Sequence, residues 1–368
     1  MEGQTRWEWR TTQFWFLCLL SNYVCAMSQQ VPVIADIWWG RIQGLQKRTQ
    51  SGSMYYSFEG IPYAQPPVGR LRFAKPLPLT RKSPGVYEAH TAKPSCFGVG
   101  VIGPASEDCL YLDIYVPAPT SQFSHGRSVM VFLHGGGFVA FSGQLSMEAL
   151  MSRGVAIVVF VHYRLGPFGF LSTGEKDLPG NFGLWDQNMA LRWVRGNIAS
   201  FGGNPSSVTI FGHSAGGASV AYHVLAPPSK AFVIPSLEFS IAIGNLQAEA
   251  QGTGKTYFYY FDYCPKFSPV LCMMHGLDQV YVFPLFRIID PTDAHISQMF
   301  TEILTSFSGT GIPQATGLSQ QWTSFSRASN YSVLMLKPSP VMHPGIFLAK
   351  QKLWLEEIPA LIAQPFTL

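Results

Sequence analysis

The stretch Ser207-Val208-Thr209-Ile210-Phe211-Gly212-His213-Ser214-Ala215-Gly216-Gly217 decides the reading of this chain. Its apolar, β-branched first half reads as a short buried strand, and residues 218–226 read as a helix. Between them, Gly212-His213-Ser214-Ala215-Gly216 has the pattern G-x-S-x-G in the setting a nucleophile elbow requires. The two glycines permit a tight turn that a Cβ would resist. Such a turn lifts the Ser214 hydroxyl out of the sheet edge. The helix N-terminus behind it aims backbone N–H groups at a developing oxyanion. A five-residue Gly/Ser pattern is common by itself; the strand before it and the helix after it make a chance turn a poor account.

Working outward, residues 128–133 and 155–163 are continuous apolar runs, too apolar to alternate, and read as strands buried on both faces. Residues 110–116 form a further strand after Ser106-Glu107-Asp108-Cys109. Residues 184–200 have helical spacing through Leu184, Met189, Leu191, Trp193, Val194 and Ile198, and Phe201-Gly202-Gly203-Asn204-Pro205 stops the run. Strands alternating with helices across glycine-rich loops indicate an α/β fold with a largely parallel sheet. The strand 128–133 ends in His134-Gly135-Gly136-Gly137, the oxyanion-hole loop pattern of lipases and esterases. Gly136, Gly137 and Ala215 are the expected oxyanion donors, since glycines let backbone N–H groups approach an oxygen closely. The rhythm breaks after Lys230: residues 231–255 show no clear strand–helix unit. Residues 256–261 read as a strand, 298–306 as a helix, and 347–362 as an amphipathic helix.

With 368 residues, 47% apolar and 12% charged, the chain can bury a large core as one α/β domain. The formal charge of +4, without a Lys/Arg block, gives no support to nucleic-acid binding. Arg6 and Arg10, the run 14–20 and Val24-Cys25-Ala26 read as a signal peptide over 1–26, leaving 27–368 as a single domain. That run is too short to span a bilayer, and no later stretch is long enough, so no integral membrane segment is expected. The ending Gln364-Pro365-Phe366-Thr367-Leu368 lacks a retention signal, and secretion is the expected destination. Of six cysteines, Cys96, Cys109, Cys264 and Cys272 follow the leader, an even set that favours disulfides over metal binding. Cys96–Cys109 closes a short loop and Cys264–Cys272 is possible; sequence leaves the connectivity open. Asn330-Tyr331-Ser332 is a glycosylation sequon, whereas Pro205 excludes Asn204. Gly252-Thr253-Gly254-Lys255-Thr256 imitates the end of a phosphate loop, but a strand follows where a helix N-terminus is needed. No metal or organic cofactor is implied.

Several stretches together carry a resemblance: EGIPYAQPPVGRLRF, SEDCLYLDIYVP, VFLHGGGF, HYRLGPFGFLST, GNFGLWDQNMALRWVRGNIASFGGNPSSVTIFGHSAGG and TYFYYF. The chain resembles the type-B carboxylesterases, most closely the secreted mammalian liver-type ones. The resemblance implies an α/β-hydrolase fold with an eight-stranded sheet, and hydrolysis of a small-molecule ester through Ser, Glu and His. It places the histidine at His275, in His275-Gly276-Leu277-Asp278, with Leu277 departing from the motif. Both Cys96 and Cys109 match the family's first disulfide. Asp186 matches a family position and reads as a structural acid.

The triad Glu has no counterpart. The strand that follows the elbow helix in the family, and the strand and loop that carry the Glu, are absent. The chain jumps from Pro228-Ser229-Lys230 to Ala231-Phe232-Val233, as an internal deletion near 230/231 would leave it. Only Glu238, Glu249 and Asp262 lie between Ser214 and His275, and none matches the position. His213 also stands where the family usually has Glu. The expectation is an esterase by descent whose activity is weak or lost. The alternatives are a non-catalytic, cholinesterase-like binding protein or a truncated product without function. The sequence identifies neither the ester nor the oligomeric state.

Overall fold

A computed structural model describes residues 31–99, 103–119, 125–140, 145–226, 234–237, 255, 257–267, 277–284, 288–325, 329 and 332–344. The expected leader at 1–26, His275, Cys272, Asn330, Glu238, Glu249 and the helix over 347–362 lie outside these residues.

The first strands are β1 (Pro32–Ile37), β2 (Gly40–Arg48), β3 (Met54–Pro62), β4 (Val86–Glu88), β5 (Ser95–Cys96), β6 (Ala105–Ser106) and β7 (Tyr111–Pro117). Strands β8 (Arg127–Leu133), β9 (Ala156–Val161), β10 (Gly203–Gly212) and β11 (Ile234–Leu237) follow. Nine of them form one sheet in the order β1-β2-β3-β7-β9-β8-β10-β11, with β4 alongside β2, and β5 and β6 pair in a separate two-stranded sheet. The half from β1 to β9 is antiparallel in its main path. From β9 through β8 and β10 to β11 every pairing is parallel, so the elbow strand β10 sits in the parallel half.

The apolar runs form the centre of the sheet. In β8, Val129, Val131 and Leu133 enter one core cluster while Met130 and Phe132 enter the other. Strand β9 divides likewise, Ile157, Val159 and Val161 against Val158 and Phe160. This is the two-residue period of a strand buried on both faces. Six α-helices are described: α1 (Glu148–Arg153), α2 (Gly166–Phe170), α3 (Phe182–Asn197), α4 (Ala215–Leu225), α5 (Leu277–Val282) and α6 (Pro291–Thr310). Helix α3 buries Ala190, Leu191, Trp193 and Val194 in the first cluster; α6 buries Ile296, Met299, Phe300, Ile303, Leu304 and Phe307 in the second. The sheet therefore has helices on both sides.

Two expectations need correction. The position beside the elbow strand is filled: β11 pairs with β10 with Thr209 opposite Ile234 and Phe211 opposite Leu237. A strand therefore follows the elbow helix and lies beside β10, where the reading of the sequence expected that strand to be absent. Ile234-Pro235-Ser236-Leu237 is only four residues and includes a proline, which lacks a ladder N–H and suits an edge position. Among the described strands β11 is such an edge. Helix α6 is also longer than the expected 298–306. The Asp290 carboxylate accepts from the N–H groups of Thr292 and Asp293 at 2.8 and 3.1 Å, Pro291 opens the first turn, and Gly311 closes the helix at φ 71°.

Strand β12 (Tyr259–Phe261) lies parallel to β13 (Val333–Leu336), which pairs antiparallel with β14 (Val341–His343) in a separate three-stranded sheet. Cys96 and Cys109 are joined in a disulfide, as the resemblance implied, and Cys264 is disulfide-bonded as well. Among the described residues no helix is long and apolar enough to cross a membrane.

Candidate active site

Strand β10 ends at Gly212 and α4 begins at Ala215, so the turn between them has only His213 and Ser214. Ser214 adopts φ 55°, ψ −121°, a conformation that side-chain-bearing residues rarely hold. The flanking glycines explain how the turn closes. A Cβ on Gly212 would lie 2.4 Å from the Gly216 carbonyl carbon, and one on Gly216 would lie 1.9 Å from the Leu133 carbonyl oxygen. Neither position has room for a side chain. The Gly216 N–H donates to the His213 carbonyl at 2.8 Å and the Ala218 N–H to the Ser214 carbonyl at 3.0 Å. As the first residue of α4, Ala215 carries one of the N–H groups that a helix leaves without an internal acceptor.

The glycine loop after β8 meets this turn. A Cβ on Gly135 would fall 2.7 Å from the His213 carbonyl oxygen and 3.1 Å from the Ser214 Cβ. Gly136 and Gly137 follow at φ 109° and 62°, and Phe138 at 63°. The loop is held by Val139 and Ala140 N–H groups on the Gly136 carbonyl, at 3.1 and 2.9 Å. Across from it, Gly166 N–H donates to the Phe138 carbonyl at 2.7 Å, and Val99 N–H, in the loop closed by the disulfide, donates to the Val139 carbonyl at 2.6 Å. The structure therefore brings the Gly135–Gly137 loop and the Ser214–Ala215 turn together.

Two histidines beside the site are buried. His134 stacks on Tyr163 with ring centroids 4.2 Å apart, and its Nδ1 lies 2.8 Å from the Gly135 carbonyl. Burial lowers its pKa from 6.5 to about 3. His223, on α4, has its pKa lowered to about 4, again by burial. Its Nε2 is 2.9 Å from Gln187 Oε1; Gln187 Nε2 donates to Ser219 Oγ at 3.0 Å, and Ser219 Oγ donates to the Ala215 carbonyl at 3.0 Å. Because Gln187 offers its oxygen, His223 Nε2 carries the proton. This chain ties the first turn of the elbow helix to α3. Sequence reading missed it, since Gln187 and His223 are 36 residues apart.

These two histidines set an acid limit. Their folded pKa values lie below the ordinary 6.5, so the unfolded chain takes up protons first as pH falls. The stabilisation is complete above about pH 6.5 and is lost progressively as pH falls toward about 4 for His223 and about 3 for His134. For His223 this amounts to up to about 2 kcal/mol between pH 7 and 5. Urea titrations at the two pH values check it: His223→Gln is expected to flatten the dependence by about that amount. An unchanged slope in this variant would count against a neutral His223.

Asp186, the expected structural acid, is buried opposite Arg164. Arg164 Nε and Nη2 donate to its two oxygens at 2.7 Å each, and the Arg164 N–H adds a third bond at 3.1 Å. Burial raises the Asp186 pKa, opposed by Arg164. His162 Nε2 and Asp113 Oδ2 form a second buried pair at 3.5 Å. Asp262 is exposed just past β12, its N–H on the Leu336 carbonyl at 2.9 Å. Among the described residues no group of His, Cys, Asp and Glu is arranged to hold a metal ion.

Beside the elbow lies a small, mostly apolar pocket. Gly212 and His213 border it, and so do Asp278 and Gln279, the third and fourth residues after His275.

Comparison with known proteins adds the following. The profile of the carboxylesterase family matches residues 30–236 and 230–354. Venom carboxylesterase-6 of Apis mellifera is 47% identical over 209 residues, covering 55% of this chain and 37% of that protein. Cholinesterase of Mus musculus is 44% identical over 208 residues, covering 52% and 34%. The chain thus spans under two fifths of the length of these two relatives. Among solved structures, a PNB esterase superposes with TM-score 0.77 at 22% identity, over 87% of this chain and 99% of that one. The α/β-hydrolase architecture is common to both.

Proposed function

The chain belongs to the carboxylesterase family, and from that membership we propose that it is a serine carboxylic-ester hydrolase by descent, working through an acyl-Ser214 intermediate. The observation that carries the proposal is Ser214 at φ 55° between a parallel strand and a helix N-terminus, in a turn that Gly212 and Gly216 alone permit. Gly136, Gly137 and Ala215 are the oxyanion donors in this reading. His275 takes the Ser214 proton and returns it to the leaving group. The border that Asp278 and Gln279 share with Gly212 and His213 supports that role, since three residues of chain reach at most about 10 Å.

The triad acid is the missing part. The two family matches meet at residues 230–236, where the sequence jumps, which supports an internal deletion. Asp262 faces solvent beyond β12 and is poorly placed as a substitute. Activity is therefore weak or lost, and the chain passes through the secretory pathway, cut near Ala26 and glycosylated on Asn330. The Cys96–Cys109 disulfide supports an oxidising destination. The missing acid also favours a second reading, a non-catalytic product on the same scaffold; the presence of Ser214 in a strained elbow speaks against it.

A labelled fluorophosphonate separates the two. Covalent label on Ser214 of the purified chain, absent in Ser214→Ala, is the expected result. A folded chain that takes no label at all would sink the nucleophile assignment.

A further inference from the structure

Tyr163 takes no part in the proton and acyl transfers assigned to Ser214 and His275, yet it touches the loop that would hold the oxyanion. It lies two residues past the end of β9, which pairs in parallel with β8, Leu133 opposite Val161. The two chains leave the sheet side by side, and Tyr163 meets His134. The Tyr163 hydroxyl donates to the His134 carbonyl at 2.7 Å. Its ring lies on the His134 ring, centroids 4.2 Å apart and planes 13° apart. Tyr163 is 0% exposed, so water cannot replace either contact. Burial also raises its phenol pKa, which keeps the donated proton on the oxygen.

These contacts set the direction of backbone N–H groups. In a planar trans peptide the N–H points opposite to the carbonyl of the residue before it. The His134 carbonyl therefore fixes the Gly135 N–H, and the Gly135 carbonyl fixes the Gly136 N–H. The first carbonyl is held by Tyr163 Oη and the second by His134 Nδ1 at 2.8 Å. A carbonyl can only accept, so the proton of the neutral His134 ring sits on Nδ1. The Tyr163 ring keeps that imidazole in the orientation from which the bond is made. Gly136 itself, at φ 109°, supplies little restraint, because glycine moves freely through such conformations. We propose that Tyr163 is a positioning residue for ester hydrolysis, aiming the Gly136 N–H at the oxyanion through the ring and carbonyl of His134. The proposal rests on the esterase reading above, in which Gly136 is a donor. A residue that only filled space would affect the rate through its ring and not through its hydroxyl.

The test is the rate at which a fluorophosphonate labels the full chain, resolved into reversible affinity and the chemical step. As Ser214 Oγ bonds to phosphorus, its proton passing to the base and fluoride leaving, negative charge gathers on the phosphonyl oxygen, which the same donors meet. Loss of one such donor slows a serine hydrolase about 10²–10³-fold, and a misdirected donor loses part of that. Tyr163→Phe keeps the ring and removes the hydroxyl; it is expected to slow the chemical step about tenfold or more, with affinity unchanged. Hydrogen exchange over residues 134–140, read by mass spectrometry, is expected to quicken in this variant while β8 and β9 stay as protected as in the parent. His134→Asn, whose side-chain N–H can stand where Nδ1 does, is expected to label about tenfold faster than His134→Leu, which has no donor. A folded Tyr163→Phe that labels at the parent's rate overturns the proposal and leaves the esterase reading intact. Equal rates in His134→Asn and His134→Leu also overturn it, and this pair decides where Tyr163→Phe does not fold. A parent that takes no label defeats the nucleophile assignment instead. Exchange does not involve Ser214, so exchange over 134–140 left unchanged by Tyr163→Phe then overturns the positioning as well, and faster exchange keeps Tyr163 as the residue that holds the loop.

Discussion

Hydrolysis of a simple aryl ester by the purified chain is expected to run about 10⁴-fold below that of a relative with a complete triad, the effect of losing the acid's role in a serine-protease triad. The acid fixes the histidine tautomer and stabilises the imidazolium that forms when the nucleophile gives up its proton. On the proposed reading, the segment that carries it is deleted from this chain. The oxyanion loop and elbow remain, so a residual rate is expected. Hydrogen-bond reach between base and nucleophile, about 2.6–3.2 Å, is the geometric condition for that rate. The measurement is kcat on the purified chain beside Ser214→Ala. Family-level turnover that disappears in Ser214→Ala would show that another carboxylate serves. Alanine at Glu238, Glu249 or Asp262 would then identify it. Turnover that survives Ser214→Ala would remove Ser214 from the mechanism.

The parts legible in the sequence are those where backbone geometry demands one residue type. Gly212 and Gly216 lie where a Cβ would meet backbone at 2.4 and 1.9 Å, so the elbow announces itself as glycines around a serine. Strands β8 and β9 were legible because both faces are buried, which leaves no polar alternation to confuse the reading. Strand β11 was hidden, since four residues containing Pro235 carry no period. The N-terminal half of α6 was hidden by Thr292, Asp293 and His295. Asp293 is in fact buried, accepting from the Tyr263 and Tyr281 hydroxyls at 2.9 Å each. Such pairings join residues far apart in the chain, and no local pattern encodes them. The same holds for Gln187 with His223 and for Arg164 with Asp186.

Asp186→Ala tests the strongest of those distant pairings. Asp186 is 0% exposed and Arg164 3% exposed, so water cannot replace either partner. Removing one member of a buried ion pair leaves an uncompensated charge and costs about 3–5 kcal/mol. Against a usual total stability of about 5–15 kcal/mol, that is a large share. The loss should also reach the elbow. Arg164 opens the loop whose Gly166 N–H holds the Phe138 carbonyl at 2.7 Å, just after Gly136 and Gly137. Arg164 Nη2 also donates to the Ala74 carbonyl at 2.8 Å, so the displaced guanidinium disturbs a second segment. Urea unfolding should show the loss, and fluorophosphonate labelling of Ser214 should slow with it. The double variant Arg164→Met/Asp186→Leu removes both charges and is expected to recover much of the stability, because two apolar side chains of similar size avoid the desolvation cost. A single variant within about 1 kcal/mol of the parent, the range of an exposed pair, would show that the pair is not sealed from solvent. A double variant no better than the single would assign the loss to packing around α3 rather than to the stranded charge.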